Sequence, residues 1–322
     1  MTTALICGIS GQDGGYLARH LLSKGYVVWG TSRDAQIANF SNLRRLNVGK
    51  DIELLSMAPG DFRSMLSTIA KAQPDEIYYL AGQTSVGLSF DQPVETMESI
   101  ANSTLNLLEA VRFLGISPRI YHASSSEAFG NVPPEHQASE TTPFQPRSPY
   151  GVAKASAHWL INNYREAYGL HCSNGILFNH ESPLRPARFV TKKIVAAACR
   201  IKSGSSEKLQ LGRLDIARDW GWAPDFVDAM WRILQVPKAG DYVIATGVAH
   251  TLEQFTAEVF GQLGLEWRDH VESDPSLMRP SDIGHSVGDP TKAKQELGWS
   301  SGTGFAELIG LLIEGEQKDV LR

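Results

Sequence analysis

Cysteine is scarce in this chain, and what there is excludes two common ways of stabilising or equipping a fold. Cys7, Cys172 and Cys199 are odd in number and widely spaced along 322 residues. Such an arrangement suits neither a disulfide framework nor a thiolate metal site, because no ligand-type spacing is present. Three reduced thiols in apolar surroundings, and no metal, are expected. There is no basic run, and the formal net charge of −5 argues against nucleic acid as a partner. No apolar stretch is long enough to span a bilayer, and the N-terminus lacks a charged-then-apolar signal pattern. No internal repeat or low-complexity segment interrupts the chain. These absences predict a soluble cytoplasmic protein with no membrane partner, and the length allows one or two domains around a large core.

What is present is an alternation of strand and helix signals. Candidate strands are 4–8, 27–31, 51–57, 76–81, 119–124 and 171–177, with helical stretches near 14–23, 63–71, 93–113 and 150–167 between them. This pattern predicts an α/β fold, a doubly wound parallel sheet of the Rossmann type covered by helices on both faces. In such sheets ligands bind outside the carboxyl ends of the strands. After Asn179 the alternation fades, with helices near 190–202, 224–234 and 252–263 mixed with strands at 208–211 and 242–245. The expected division is a dinucleotide-binding domain over 1–178, with returning segments near 212–247, and a smaller mixed α/β substrate lobe over 179–322.

Gly8-Ile9-Ser10-Gly11-Gln12-Asp13-Gly14 follows the apolar run Ala4–Cys7 and opens a helical pattern through Tyr16, Leu17, Leu21 and Leu22. Glycines there permit a tight strand-to-helix turn and a close approach of backbone to a pyrophosphate. The spacing is not that of G-x-G-x-x-G, so the turn alone would also suit any α/β protein. Cofactor choice is expected at the end of the second strand, where an acid would hold a ribose hydroxyl and an arginine the extra phosphate of NADP. Arg33 favours NADP, while Asp34 beside it keeps NAD open.

The segment 123–154 carries the candidate chemistry. Tyr150 and Lys154 are four residues apart, hence on one face of a helix. A lysine ammonium there would stabilise a phenolate and draw the tyrosine down from its usual pKa of about 10. Upstream, Ser125 and Glu127 add a hydroxyl and a second acid or base at a strand end. A lone Tyr-x-x-x-Lys is weak; behind a dinucleotide turn it is strong.

At this point the residues resemble a known family. The chain closely resembles the GDP-mannose 4,6-dehydratases, within the extended short-chain dehydrogenase/reductases, over nearly its whole length. The likeness rests on the glycine turn, on Arg147-Ser148-Pro149-Tyr150, on Asn163-Tyr164-Arg165-Glu166 and above all on Gly175–Pro183. It continues through Phe189-Val190-Thr191, Arg218-Asp219-Trp220-Gly221, Arg279-Pro280 and Gly298-Trp299. The resemblance implies conversion of GDP-mannose to GDP-4-keto-6-deoxymannose by C4 oxidation, loss of water across C5 and C6, and hydride return to C6. It assigns Tyr150 as the base at the 4-hydroxyl, Ser125 as partner of the 4-oxygen, and Glu127 as the group acting at C5 and on the departing 6-hydroxyl. Lys154 would lower the Tyr150 pKa and hold the nicotinamide ribose. Gly8, Gly11, Gln12, Asp13, Gly14, Arg33, Asp61, Leu80, Gln83, His180 and Arg185 would line the NADP site. Lys193, Arg218 and Arg279 would meet the diphosphate, and Asn179 and Ser85 the sugar side. A homo-oligomer, dimer or tetramer, is also implied.

The chain departs from the family at four places. Ser125 stands where threonine is usual, retaining the hydroxyl but losing the methyl that restricts its rotamer. Arg33-Asp34-Ala35-Gln36 has one arginine fewer than the family's loop, which weakens the case for a tetramer. Arg185-Pro186-Ala187-Arg188 replaces an Arg-Gly pattern, and Gly82 replaces alanine. A reductase or epimerase would not need the Ser125–Glu127 pairing, and a cofactor-sensing module would not need all of Tyr150, Lys154 and Glu127. A sibling dehydratase of another GDP-sugar stays open as the alternative.

Overall fold

Seven parallel strands make the frame on which every candidate residue is placed. The computed structural model describes residues 1–320. β1 (Thr3–Cys7), β2 (Val27–Ser32), β3 (Ile52–Ser56), β4 (Glu76–Tyr79), β5 (Arg119–Ser125) and β6 (Cys172–Leu177) pair in the order β3-β2-β1-β4-β5-β6. That is the doubly wound order expected from the alternation. Short strands follow at Asn179–Glu181 (β7), Leu209–Leu211 (β8) and Ala217–Trp222 (β9), and then Asp241–Ile244 (β10) returns to extend the large sheet beside β6. Ala4, Leu5, Ile6 and Cys7 in β1 are all fully buried, so this central strand reads as an unbroken apolar run and not as an alternation.

Helices cover both faces. Gln12–Ser23 and Ala223–Gln235 pack together on one side, burying Leu17, Leu21, Phe226 and Met230. Phe62–Ala72, Ser103–Leu114 and Pro149–Tyr168 cover the other, burying Met65, Ile69, Leu107, Val111 and Ile161. The stretch expected as one helix over 93–113 is divided into Pro93–Met97 and Ser103–Leu114 by a π-type turn at Glu98–Asn102. Hydroxyls explain the interruption: Ser103 Oγ donates to Ser99 O (2.6 Å) and Thr104 Oγ1 to Ile100 O (2.7 Å), drawing on carbonyls of the helical ladder.

The remaining elements make a second core. Val190–Lys202, Leu252–Gln262 and Phe305–Val320 enclose Ile194, Phe255, Phe260 and Leu308. Around them β9 is flanked by Ala249–Thr251 (β11) and His285–Ser286 (β13), β7 pairs with β9, and Val271–Ser273 (β12) pairs with β8. Ala223–Gln235, β10 and the helix Thr291–Leu297 pack with the large sheet, whereas β9 belongs to the smaller one. Cys7 and Cys172 lie in the core of the large sheet and Cys199 in that of the lobe, all three free. No helix among the described residues is long and apolar enough to cross a membrane.

Candidate active site

The glycine turn is built by contact. Gly8 has φ +91°, and an added Cβ would stand 3.1 Å from Ala81 N and Leu80 C, so the turns after β1 and β4 close on each other only without a side chain. Gly11 N donates to Gly8 O (3.2 Å), and the helix starts at Gln12. At Gly14 a Cβ would meet Gly8 O at 2.5 Å, which ties the first helical turn to the strand end. The result is a helix N-terminus with its amides directed at the carboxyl edge of the sheet, a geometry that receives phosphate.

Side chains then lock this turn to the segment after β6. Gln12 Nε2 donates to His180 O (3.2 Å), and Ser182 Oγ donates to Gln12 Oε1 (2.7 Å). His180 Nδ1 lies 2.7 Å from Phe178 O and Nε2 lies 3.0 Å from Asp13 Oδ2. A carbonyl can only accept, so Nδ1 carries a proton, and the carboxylate favours a second on Nε2. Burial alone would lower the His180 pKa, but the charge and hydrogen bond of Asp13 raise it overall. Burial works against Asp13 as well, yet His180 holds its carboxyl at about 2.

The other cofactor-side candidates have varied surroundings. Arg33 is exposed just beyond β2, while Asp34 Oδ1 accepts from the amides of Gln36 (2.9 Å) and Ile37 (3.3 Å). The acid is thus turned into its own loop, leaving the arginine as the group presented outward. Asp61 caps the helix Phe62–Ala72 by accepting from Ser64 N (2.8 Å). Leu80 and Gln83 follow β4, with Gln83 Nε2 donating to Ser85 O (2.9 Å). Arg185 Nε pairs with Glu181 Oε2 (3.2 Å), and its guanidinium lies 3.9 Å over the Phe189 ring. Next to it, Arg188 Nη2 reaches Thr84 Oγ1 (3.4 Å) from across the turn after β4.

The catalytic candidates sit on one helix and one strand end. Ser148 Oγ accepts from Gly151 N (3.0 Å) and Pro149 takes the first helical position, so the helix Pro149–Tyr168 begins one residue before Tyr150. Tyr150 and Lys154 are both buried, and Lys154 Nζ donates to Ala123 O (2.7 Å) while lying 5.8 Å from the Tyr150 ring centroid. The Ser125 hydroxyl is near enough to the Tyr150 phenol to act on its ionisation, and it accepts from the backbone amide of Glu127 (3.3 Å). The expected depression of the tyrosine pKa is not seen. Burial pushes the phenol up to about 12, against the neighbouring Ser125 hydroxyl, and the charge of Glu127 pushes the same way as burial. Lys154 is drawn toward the Ala123 carbonyl, and burial brings its own pKa down to about 8. Burial likewise raises Glu127 above the ordinary carboxylate range, opposed by Arg218 and Arg279 and assisted by Asp282.

The cations expected on the substrate side divide into two groups. Arg218 in β9 is buried and, with Arg279, meets Asp282. Lys193 is exposed and donates to Gln210 O (2.7 Å) on β8, near Asp274 in the loop that leads to Arg279. Asn179 is half-buried at the start of β7, opposite Trp220. Ser85 caps Val86–Asp91 through Leu88 N (3.3 Å), which occupies an acceptor site of its hydroxyl and leaves its proton to donate.

Two groups of residues escaped sequence reasoning. Tyr150 and Lys154 begin a buried polar stripe that continues through His158 and Asn162 at four-residue steps, a signal the spacing does contain. His158 Nδ1 lies 3.4 Å from Ser124 Oγ, and Asn162 Nδ2 donates to Asp241 Oδ2 (3.0 Å). Asp241 also takes Asn174 Nδ2 (2.9 Å) and Arg165 Nη1 (3.1 Å). Burial keeps His158 neutral, with a pKa lowered to about 4. The second is Asp282, whose place beside Arg279 is visible in sequence but whose contact with Arg218 is not. Among the described residues no cluster of His, Cys, Asp or Glu could hold a metal ion.

Known proteins match this framework. A family model described as GDP-mannose 4,6 dehydratase matches residues 5–311. The curated GDP-mannose 4,6 dehydratase 2 of Arabidopsis thaliana is 47% identical over 321 residues, covering 97% of this chain and 86% of that protein. Among solved structures, a UDP-glucose 4-epimerase of Thermus thermophilus in complex with NAD is similar at a TM-score of 0.86 and 27% identity, covering 98% of this chain and 99% of the other. RMD of Pseudomonas aeruginosa, complexed with NADPH, aligns at a TM-score of 0.80 and 22% identity over 99% of this chain and 100% of its own, a likeness of fold. With the family match spanning nearly the whole sequence and the relative so similar along its length, this chain belongs to the GDP-mannose 4,6 dehydratase family.

Proposed function

We propose that this protein converts GDP-mannose to GDP-4-keto-6-deoxymannose and water, with a nicotinamide dinucleotide as cofactor. The observation that carries the reading is that Ser125, Glu127 and Tyr150 converge at the carboxyl edge of the sheet, with a hydroxyl and a carboxylate both near enough to the phenol to act on its charge. An oxidation alone needs only the tyrosine; a carboxylate beside it suits an elimination. The cofactor residues would be the glycine turn, with Gln12, Asp13 and His180 fixing its shape, and Asp61, Leu80, Gln83, Lys154 and Arg185 around it. Arg33 favours NADP over NAD. The chemistry a bound nicotinamide supplies is reversible storage of a hydride, with a positive ring in the oxidised form.

In this reading Tyr150 takes the proton of the sugar 4-hydroxyl at its phenol oxygen, with Ser125 hydrogen-bonded to the same oxygen pair. The buried phenol, at about 12, needs a positive neighbour before it ionises near neutral pH, and Lys154 with a pKa of about 8 is the protein's own source of one. Glu127 removes the proton from C5, acidified by the adjoining 4-ketone, and passes a proton to the departing 6-hydroxyl. Its raised pKa suits a group that must both accept and give within one turnover. Arg218, Arg279 and Lys193 hold the diphosphate, and Asn179 and Ser85 face the sugar. The nucleotide domain would comprise residues 1–178 with the returning segments, and the lobe from 179 onward the GDP-sugar side. A homodimer would cover Leu105 and Phe113 on Ser103–Leu114 and Val152 and Trp159 on Pro149–Tyr168, apolar residues exposed on two helices packed together.

The test is incubation of the purified protein with GDP-mannose and substoichiometric NADP, following the nucleotide sugar by mass. Loss of one water with no net reduction of NADP is expected. An unchanged mass with GDP-mannose, together with water loss from another GDP-hexose, would replace this substrate with its sibling.

A further inference from the structure

Two arginines that stand far apart in sequence share one oxygen atom. Arg218 Nη2 donates to Asp282 Oδ1 at 3.0 Å, and Arg279 Nη1 donates to the same oxygen at 3.3 Å. Ile283 N also donates to Oδ1, at 2.9 Å, which fixes the carboxylate relative to its own backbone. Asp282 is mostly buried, with 15% of its side chain exposed, and Arg218 more so at 6%. A guanidinium carries five N–H donors in a planar fork. Asp282 takes a single N–H from each arginine, and Arg218 gives one more to Ala217 O (2.9 Å). Neither fork is engaged side-on by Asp282, so each keeps donors for an incoming anion. Without a carboxylate between them, two neighbouring guanidinium groups would repel, and the exposed Arg279 would turn to solvent.

We propose that Asp282 is the positioning residue that gathers Arg218 and Arg279 into one diphosphate-binding pair, a role that rests on the GDP-sugar reading of the site. The same carboxylate has a second effect, on Glu127. The charged and titratable groups that face Glu127 are Arg218 from β9, Arg279 and Asp282 from the loop before β13, and Tyr150 from the catalytic helix. The two arginines favour its charged form and Asp282 opposes them. Replacing Asp282 by a neutral residue therefore does two things at once. It loosens the anion site, and it releases Arg279, whose pull on Glu127 outweighs the opposing push of Asp282, so the Glu127 pKa rises.

The experiment compares the parent protein with Asp282→Asn and Asp282→Glu, using GDP itself as the probe in calorimetric titrations, then the pH dependence of water loss from the sugar nucleotide. Asp282→Asn is expected to weaken GDP at least tenfold, with Asp282→Glu recovering most of that loss. The limb of the pH–kcat profile set by Glu127 should move to higher pH in Asp282→Asn and stay in place in Asp282→Glu. Thermal melts confirm that each variant is folded. If the parent binds GDP and Asp282→Asn binds it equally or more tightly, Asp282 competes with the diphosphate and the proposal is overturned. A pH profile that does not move in Asp282→Asn overturns the link to Glu127. If the parent itself binds no GDP, the GDP-sugar reading fails, and the role of Asp282 fails with it.

Discussion

Gly14→Ala and Gly15→Ala probe adjacent positions of one helix and should behave in opposite ways. Helix propensity alone favours alanine at either position by about 1 kcal/mol. At Gly14 the new Cβ would stand 2.5 Å from Gly8 O, 2.6 Å from Ile9 Cα and 2.9 Å from Ile9 C. All three are backbone atoms, so relief requires the helix to move off the turn, an overpacking that costs about 3 kcal/mol. The net loss is then about 2 kcal/mol. At Gly15 the neighbours are Leu46 Cδ1 at 3.2 Å, Asn42 Cβ at 3.7 Å and Leu184 Cδ1 at 3.9 Å, side-chain atoms that can give way. Here the expected change lies between zero and a gain of about 1 kcal/mol. Urea titrations with unchanged slopes should separate the variants by roughly 2–3 kcal/mol. NADP affinity should fall on the order of tenfold in Gly14→Ala, since the moved backbone is the phosphate cradle, and persist in Gly15→Ala. Equal midpoints for the two variants would refute the close-approach argument.

Other perturbations read other parts of the site. Arg33→Ala should weaken NADP at least tenfold and NAD little, by fluorescence titration; equal losses would mean that the arginine does not meet the 2′-phosphate. Glu127→Gln should retain GDP binding while water loss drops by a factor of at least a hundred, and product formation at the parent rate would remove the assignment of Glu127. Asp13 is held at about 2, below its unfolded value of 3.8, so its stabilisation is complete above the latter and disappears as pH falls through the former. Between about pH 4 and pH 2 the parent should therefore lose stability more steeply than Asp13→Asn. Parallel acid titrations of the two proteins would show that Asp13 is not ion-paired.

The sequence was most transparent where one residue's neighbours along the chain decide its structure. β1 through β6 lie within a residue or two of their expected spans because each holds a cluster of aliphatic or aromatic residues and alternates with a helical stretch, and the helix carrying Tyr150 announces itself through Ser148 and Pro149. The lobe was harder to read: β7, β11 and β13 are two or three residues long and have no periodicity to detect. The turn at Glu98–Asn102 depends on Ser103 and Thr104 bonding backward, a choice invisible to hydrophobic patterning. Tyr150 carries the same lesson for chemistry. Its spacing from Lys154 was correct, but spacing says nothing of burial, and burial is what sets both pKa values here. Asp282 and His158 escaped because each acts through partners brought together only by the fold.

The placement of the three thiols has a use beyond confirming that none is crosslinked. Burial pushes Cys7 and Cys172 up to about 12 and Cys199 to about 11, so at neutral pH none offers a reactive thiolate while its surroundings stay closed. A thiol reagent added to the native protein can therefore modify each sulfur only during an opening of the core that holds it. Two of these cores are independent reporters, one beneath the large sheet and one within the lobe. The order in which Cys199 and the Cys7–Cys172 pair become labelled is thus a native clock for whether the lobe breathes alone or only when the whole chain unfolds.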